Sequence, residues 1–182
     1  MSQTESAPSV HIRAGTVQDA EQLSPFARRV FYATFAADND PVALGAYMDG
    51  AFNVPRQREE LSHPACTVLL AYVHDALAAW ALLRDDVAPP NDSPAPGARP
   101  LYLNRFYVDH AWHGRGVARA LMTAVHEATR ARGHDALWLS TWERNTRAIR
   151  FYEREGFAIV GTTWFQLGEE LQRDYVLART LD

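Results

Sequence analysis

The chain has 182 residues, 47% of them apolar and 22% charged, with a net charge of −4; that length and mix fit one globular domain and exclude a mainly disordered chain. No run approaches the roughly 18 apolar residues of a membrane span, the start MSQTESAPSV has no signal-peptide character, and overall acidity argues against a nucleic-acid binder. Cys66 is the only cysteine, which excludes an internal disulfide or a multi-thiolate metal site and makes a reducing cytoplasm the expected compartment.

Residues 1–9 are expected to be flexible within a single domain spanning 1–182. Val10–Ala14 reads as a first strand. After Thr16, the residues Ala20, Leu23, Phe26, Ala27, Val30, Phe31 and Phe35 recur at threes and fours and predict a helix. Asp38-Asn39-Asp40-Pro41 breaks it. Pro41 opens a second helix with Leu44, Tyr47, Met48 and Phe52 on its apolar face. Gly50 and Pro55 limit that helix, and Gln57–Leu61 reads as one more helical turn. Cys66–Val73 and Leu77–Arg84 flank His74-Asp75 and predict a hairpin. Residues 85–100 hold Pro89, Pro90, Pro94, Pro96 and Pro100. Repeated proline removes backbone donors, so this segment is predicted to be an exposed loop. A strand Leu101–Val108, a loop Asp109–Gly116 and a helix Val117–Ala131 follow, with Gly133 as the stop. Ala136–Ser140 is a strand, and Asn145–Glu155 is a helix between an N-capping Asn145 and Gly156. Phe157–Leu167 and Tyr175–Leu181 are closing strands around Gly168–Arg173.

All 18 basic residues are arginine, a bias that a GC-rich coding sequence explains. Nine of them lie in residues 105–154 against five acids, whereas both flanking stretches are net acidic. A basic middle in an acidic chain suggests an anionic ligand there. Within it, Phe106–Arg119 runs from a strand through a glycine-containing loop into a helix. The first amides of a helix lack carbonyl partners, and the helix dipole adds positive potential. Gly114 and Gly116 let a phosphate approach the backbone, and Arg115 and Arg119 add charge. The unit reads as a pyrophosphate site, with an ordinary glycine-containing turn as the plain alternative. A Rossmann fingerprint fails because Arg119 stands where Gly or Ala belongs. A Walker-type loop fails because the chain has no lysine.

His113–Ala118 resembles the acyl-CoA turn of the GNAT family of N-acetyltransferases, Arg/Gln-x-x-Gly-x-Gly/Ala. Gly116 and Ala118 match, while His113 departs from the first position. Asn145–Phe157 is similar to the family's Asn-x-x-Ala-x-x-Phe-Tyr-x-x-x-Gly-Phe at every fixed position. The resemblance runs from Ile12-Arg13 to the final strand. Leu137–Asn145, Phe165–Gly168, Asp174-Tyr175 and the early aromatics look most like the PaiA-type polyamine acetyltransferase subgroup. The resemblance implies an α/β (α+β) fold with a mixed central sheet of about seven strands, splayed between strands 4 and 5. About four helices would cover its two faces. It implies transfer of an acetyl group from acetyl-CoA to a primary amine, with a small-molecule acceptor, no nucleic-acid or membrane partner, and a homodimer as in many relatives.

The same resemblance distributes roles. Backbone groups of Phe106, Tyr107 and Val108, at the splayed strand end, would bond the pantetheine amides and polarise the thioester. His113, Gly114, Arg115, Gly116, Val117, Ala118, Arg119 and Asn145 complete the implied cofactor-binding set. Tyr152 is the implied general acid for the leaving thiolate; without the resemblance it would simply pack beside Phe151. The ammonium must also lose a proton. Relatives often place Glu in the strand before Arg105, but Asn104 stands there, and Asn is no base. Glu143, Asp109, His110 or a water chain are left as substitutes. That vacancy keeps a non-catalytic acyl-CoA sensor as the alternative. Asp38, Asp40 and Asp49 would form an acidic cleft wall favouring a polyamine, unless they are ordinary surface acids. His110 and His113 are too few for a metal site. Trp112, Trp138, Trp142 and Trp164 read as core or cleft wall, and Cys66 as a small buried hydrophobe. Arg144, Arg147, Arg150 and Arg154 form a solvated helix face that approaches the CoA phosphates in the family reading.

Overall fold

The computed structural model describes residues 9–93 and 95–181; the expectation for the N-terminus falls almost wholly outside them. The elements are β1 (Val10–Ala14), α1 (Ala20–Phe35), α2 (Pro41–Ala51), α3 (Val54–Ser62), β2 (Cys66–Val73), β3 (Ala76–Arg84), β4 (Pro100–Val108), α4 (Val117–Ala131), β5 (Ala136–Trp142), α5 (Thr146–Arg154), β6 (Ala158–Leu167) and β7 (Glu170–Thr180). The strands form one sheet in the order β1-β2-β3-β4-β5-β7-β6. Every neighbouring pair is antiparallel except β4 and β5, which run parallel.

Apolar side chains divide between the two faces of the sheet. On one, Val117, Leu121, Met122 and Val125 of α4 and Tyr152 of α5 pack with Leu101, Leu103, Leu137 and Leu177. On the other, Leu23, Val30 and Phe31 of α1 and Leu44 and Met48 of α2 pack with Leu70, Trp80 and Leu82. This two-faced cover is what the alternating strands demand.

Two features of β4 position the site. Its pairing with β5 stops at Tyr102↔Trp138, so the two strands splay beyond that point. Its pairing with β3 skips a residue: Leu82 faces Arg105 and Leu83 faces Leu103, leaving Asn104 as a β-bulge. The extra residue switches the faces. Leu101 and Leu103 lie on the α4–α5 side, and beyond the bulge so do Phe106 and Val108. Arg105 and Tyr107 are thereby turned toward α1 and α3. Arg105 is 8% exposed. Its guanidinium meets Glu60 at 2.5 Å and lies 4.8 Å from the Phe52 ring centroid.

The described residues hold five α-helices, in keeping with the expected number, with Gln57–Leu61 inside α3. Three details differ from expectation. Pro55 does not end a helix; it sits in the first turn of one, where its missing N–H costs nothing, and Asn53 caps that turn by accepting from the Arg56 amide. The loop 85–99 is anchored rather than wholly exposed: Ser93 is 1% exposed, and Val87 and Ala95 pack on Trp138. The final hairpin turns tightly at Gly168-Glu169, so β7 begins at Glu170 and carries Asp174 inside the strand.

Candidate active site

A cleft of about 780 Å³ passes through the gap where β4 and β5 part, with residues from both faces of the sheet in its walls. The α4–α5 side presents the strand-loop-helix turn. The loop is built by Asp109, whose carboxylate accepts from the Ala111 amide while Arg29 pairs with it at 2.7 Å. The His113 amide donates to the His110 carbonyl, and that of Arg115 to the Trp112 carbonyl. Ala120 is the first amide of α4 to find a helical acceptor, at Gly116. Among the described residues, the amides of Gly114, Gly116, Val117, Ala118 and Arg119 have no protein acceptor. Gly114 and Gly116 have φ of +74° and +84°, where a side chain is strained, and an added Cβ would point into open space. Convergent free amides facing open space fit a diphosphate.

The expected cofactor residues fall out unequally. Phe106, Tyr107, Val108, His113, Gly114, Gly116, Ala118, Arg119 and Asn145 line the cleft. The Val117 side chain does not; it is fully buried in the core, and only its amide faces the turn. Arg115 is exposed and lies over the Trp112 ring at 5.8 Å. His113 Nε2 is 3.0 Å from the Val108 carbonyl, and burial beside Arg147 lowers its pKa. A neutral imidazole donating there ties the loop to the end of β4 and adds no charge for a phosphate. Asn145 caps α5 by accepting from the Ala148 amide at 3.2 Å while also lining the cleft. Of the α5 arginines, Arg147 and Arg154 line the cleft.

Tyr152 lines the cleft from α5, 7% exposed, with the rings of Phe106, Phe151 and Phe157 about it. Burial lifts its pKa well above that of an ordinary phenol. It therefore stays protonated across the physiological range and is a proton donor rather than a base.

The opposite side of the cleft is aromatic. Phe31 stacks near Phe35 and Tyr47 at 4.6 and 5.2 Å, Tyr47 meets Phe165 at 5.3 Å, and Phe35 meets Trp142 at 6.4 Å. Asp38, Asp40 and Asp49 are absent from this wall. Asp40 instead caps α2, and Asp49 pairs with Arg28. Asp174 is the acid that lines it, 8% exposed. Burial, with the Glu143 charge nearby, raises its pKa to about 6. Placing Gly168–Arg173 in a loop hid Asp174; a strand reading with Leu167 and Asp174 on one face would have found it. Of the substitutes for a base, only His110 lines the cleft; Glu143 is paired with Arg173 at 2.6 Å and Asp109 with Arg29. Trp112 and Trp142 are cleft wall and Trp138 is core, but Trp164 is 61% exposed on the outer hairpin. Cys66 is half-buried at the edge of the α1–α2 cluster.

The family model for the acetyltransferase (GNAT) family matches residues 21–157. An uncharacterised N-acetyltransferase of Mycobacterium tuberculosis is 31% identical over 165 residues, covering 90% of this chain and 98% of that protein. A spermine/spermidine N(1)-acetyltransferase of Bacillus subtilis is 31% identical over 72 residues, 39% of this chain and 47% of that one. In fold, the chain resembles the PaiA N-acetyltransferase of Thermoplasma acidophilum, solved in complex with coenzyme A, with a TM-score of 0.78 at 18% identity, over 95% of this chain and 99% of that one. No helix among the described residues is long and apolar enough to cross a membrane. With the family model spanning most of its length, and a relative aligned almost end to end, the chain belongs to the GNAT family of acetyltransferases and uses acetyl-CoA as its co-substrate.

Proposed function

We propose that this acetyltransferase acts on a primary amine by direct attack, with Tyr152 as the general acid. The observation that carries this reading is the cleft itself: it joins free amides on one face of the sheet to an aromatic acceptor wall on the other, with Tyr152 at its lining. Acetyl-CoA supplies an activated acyl group and a thiolate leaving group. The amides of Gly114, Gly116, Val117, Ala118 and Arg119 would hold the diphosphate, with Arg119 and Arg147 adding charge. The opened edge of β4 at Phe106–Val108 would bond the pantetheine amides, and Asn145 would contact the same arm. Tyr152 would give its proton to sulfur as negative charge develops there.

A polyamine is one acceptor of this kind, and the Bacillus subtilis relative is named for acting on such amines. None of the acids expected to favour a polycation lines the cleft, and Asp40 and Asp49 are engaged elsewhere, so the cleft supports a primary amine more strongly than a polyamine. The lone cysteine and the need for acetyl-CoA support the cytoplasm as the place of reaction. Tyr152→Phe tests the mechanism. The kcat for amine-dependent thiol release should fall about 100-fold or more, while calorimetric CoA affinity stays unchanged. An unchanged kcat would remove Tyr152 from the chemistry.

A further inference from the structure

We infer that the acceptor is an amine bearing a single positive charge on a compact aromatic or apolar body, and that Asp174 receives its ammonium and takes its proton. This rests on the amine-acetylating reading above and narrows it. Three observations carry it. The acceptor side is walled by Phe31, Phe35, Tyr47, Trp142 and Phe165, rings suited to a flat or branched apolar group. It is also roofed: the Gln172 side-chain amide donates to Asn39 Oδ1 at 2.6 Å, and Asn39 Nδ2 donates to the Phe35 carbonyl at 2.7 Å. Both residues line the cleft, so that bridge ties β7 to the α1–α2 turn at the acceptor wall. Finally, Asp174 is a buried carboxylate that no arginine or histidine pairs with among the described residues. The cations of the cleft, Arg119, Arg147 and Arg154, are on the α4 and α5 side. A buried unpaired charge is costly, and a bound ammonium would complete it. The second and third ammonium groups of a polyamine would enter the ring-lined space with no counter-charge.

The groups around Asp174 leave it as the base. Tyr47 of α2, Tyr102 and Tyr107 of β4 and Tyr152 of α5 line the same cleft as phenols, and Glu143, the carboxylate whose charge Asp174 feels, is held by Arg173. Ser140 of β5 lines the same cleft and favours the charged form of Asp174. In the reaction, R–NH3+ gives one proton to Asp174. The freed nitrogen lone pair forms the C–N bond to the acetyl carbon. The C–S bond breaks, its electron pair leaves on sulfur, and sulfur takes the Tyr152 proton. The nitrogen's remaining surplus proton restores the Tyr152 phenol, and Asp174 releases its proton to solvent. The products are the amide, free CoA thiol and one proton.

The test is initial-rate thiol release from acetyl-CoA with 2-phenylethylamine, putrescine and spermidine, using the full chain. The expected kcat/KM for 2-phenylethylamine exceeds that for spermidine at least tenfold and falls as pH drops below about 6. Asp174→Asn should lose about 100-fold at pH 7 and abolish that acid limb, with CoA affinity by calorimetry unchanged; Asp174→Glu should recover part of the rate. Preference for spermidine, or an unaltered acid limb in Asp174→Asn, overturns this inference and leaves amine acetylation standing. Failure of the wild-type chain to bind CoA or to acetylate any of these amines overturns both. If Asp174→Asn does not bind CoA, the amine preference of the wild-type chain and the Asp174→Glu profile decide.

Discussion

Arg105 and Glu60 are both nearly solvent-free, at 8% and 3% exposure, and each is the other's principal counter-charge. Arg56 adds a second contact to Glu60 at 3.0 Å, and the Phe52 and Trp80 rings flank the Arg105 guanidinium. The pair pins α3 to the residue that follows the Asn104 bulge, so it also fixes where β4 changes face. Removing one partner leaves the other charge buried. Glu60→Leu should therefore lower unfolding stability by about 3–5 kcal/mol in urea titration. The double change with Arg105→Met should restore most of that loss, because an apolar pair of similar volume has no charge left to desolvate. A mild effect in the single variant would show that water reaches Arg105. Asn104 need not be the base where the carboxylate is that of Asp174, on a different strand across the gap.

Among the elements, the N-terminus of α4 carries the proposed cofactor grip, with Gly116 as its pivot. A side chain there meets a φ of +84°, and a carboxylate would stand in front of the amides that otherwise face an anion. Gly116→Glu should weaken CoA binding by tenfold or more in calorimetry while α4 stays folded by circular dichroism. Unchanged affinity would place the diphosphate elsewhere. Helices α4 and α5 were legible from sequence almost to the residue, because Gly116, Gly133, Asn145 and Gly156 act through local backbone geometry. Pro55 was misread because proline stops one helix and starts another with equal ease, and only Asn53 ahead of it marks the start. The bulge at Asn104 was not legible, because it is set by the register of β3 against β4. Asp40 and Asp49 could not be placed by sequence either: composition shows an acidic turn, whereas capping of α2 and the pairing with Arg28 decide where the charges point.

Across the whole molecule, two groups pull stability in opposite directions as pH changes. His126 on α4 has Nε2 buried without a hydrogen-bond partner among the described residues, and burial with Arg179 and Arg130 nearby lowers its pKa to about 4. Its contribution is complete above the ordinary histidine value and is lost as pH falls toward 4. Asp174 behaves oppositely. Its pKa rises from 3.8 to about 6, so its contribution is complete below 3.8 and is lost as pH rises through 6. At pH 8 the charged, unpaired carboxylate then costs roughly 3 kcal/mol by the size of that rise. Asp174→Asn should therefore be more stable than the wild-type chain at pH 8, by about 1–3 kcal/mol, with the gap closing toward pH 4 as the wild-type carboxyl gains its proton. Thermal melts of both chains across pH 4–8 check this, and a gap independent of pH would mean that Asp174 is solvated in the folded protein. An added amine acceptor should narrow the same gap at pH 8, since it stabilises the chain that can pair with its ammonium. A group that weakens the free protein and is relieved by its ligand belongs to a binding site rather than to the scaffold.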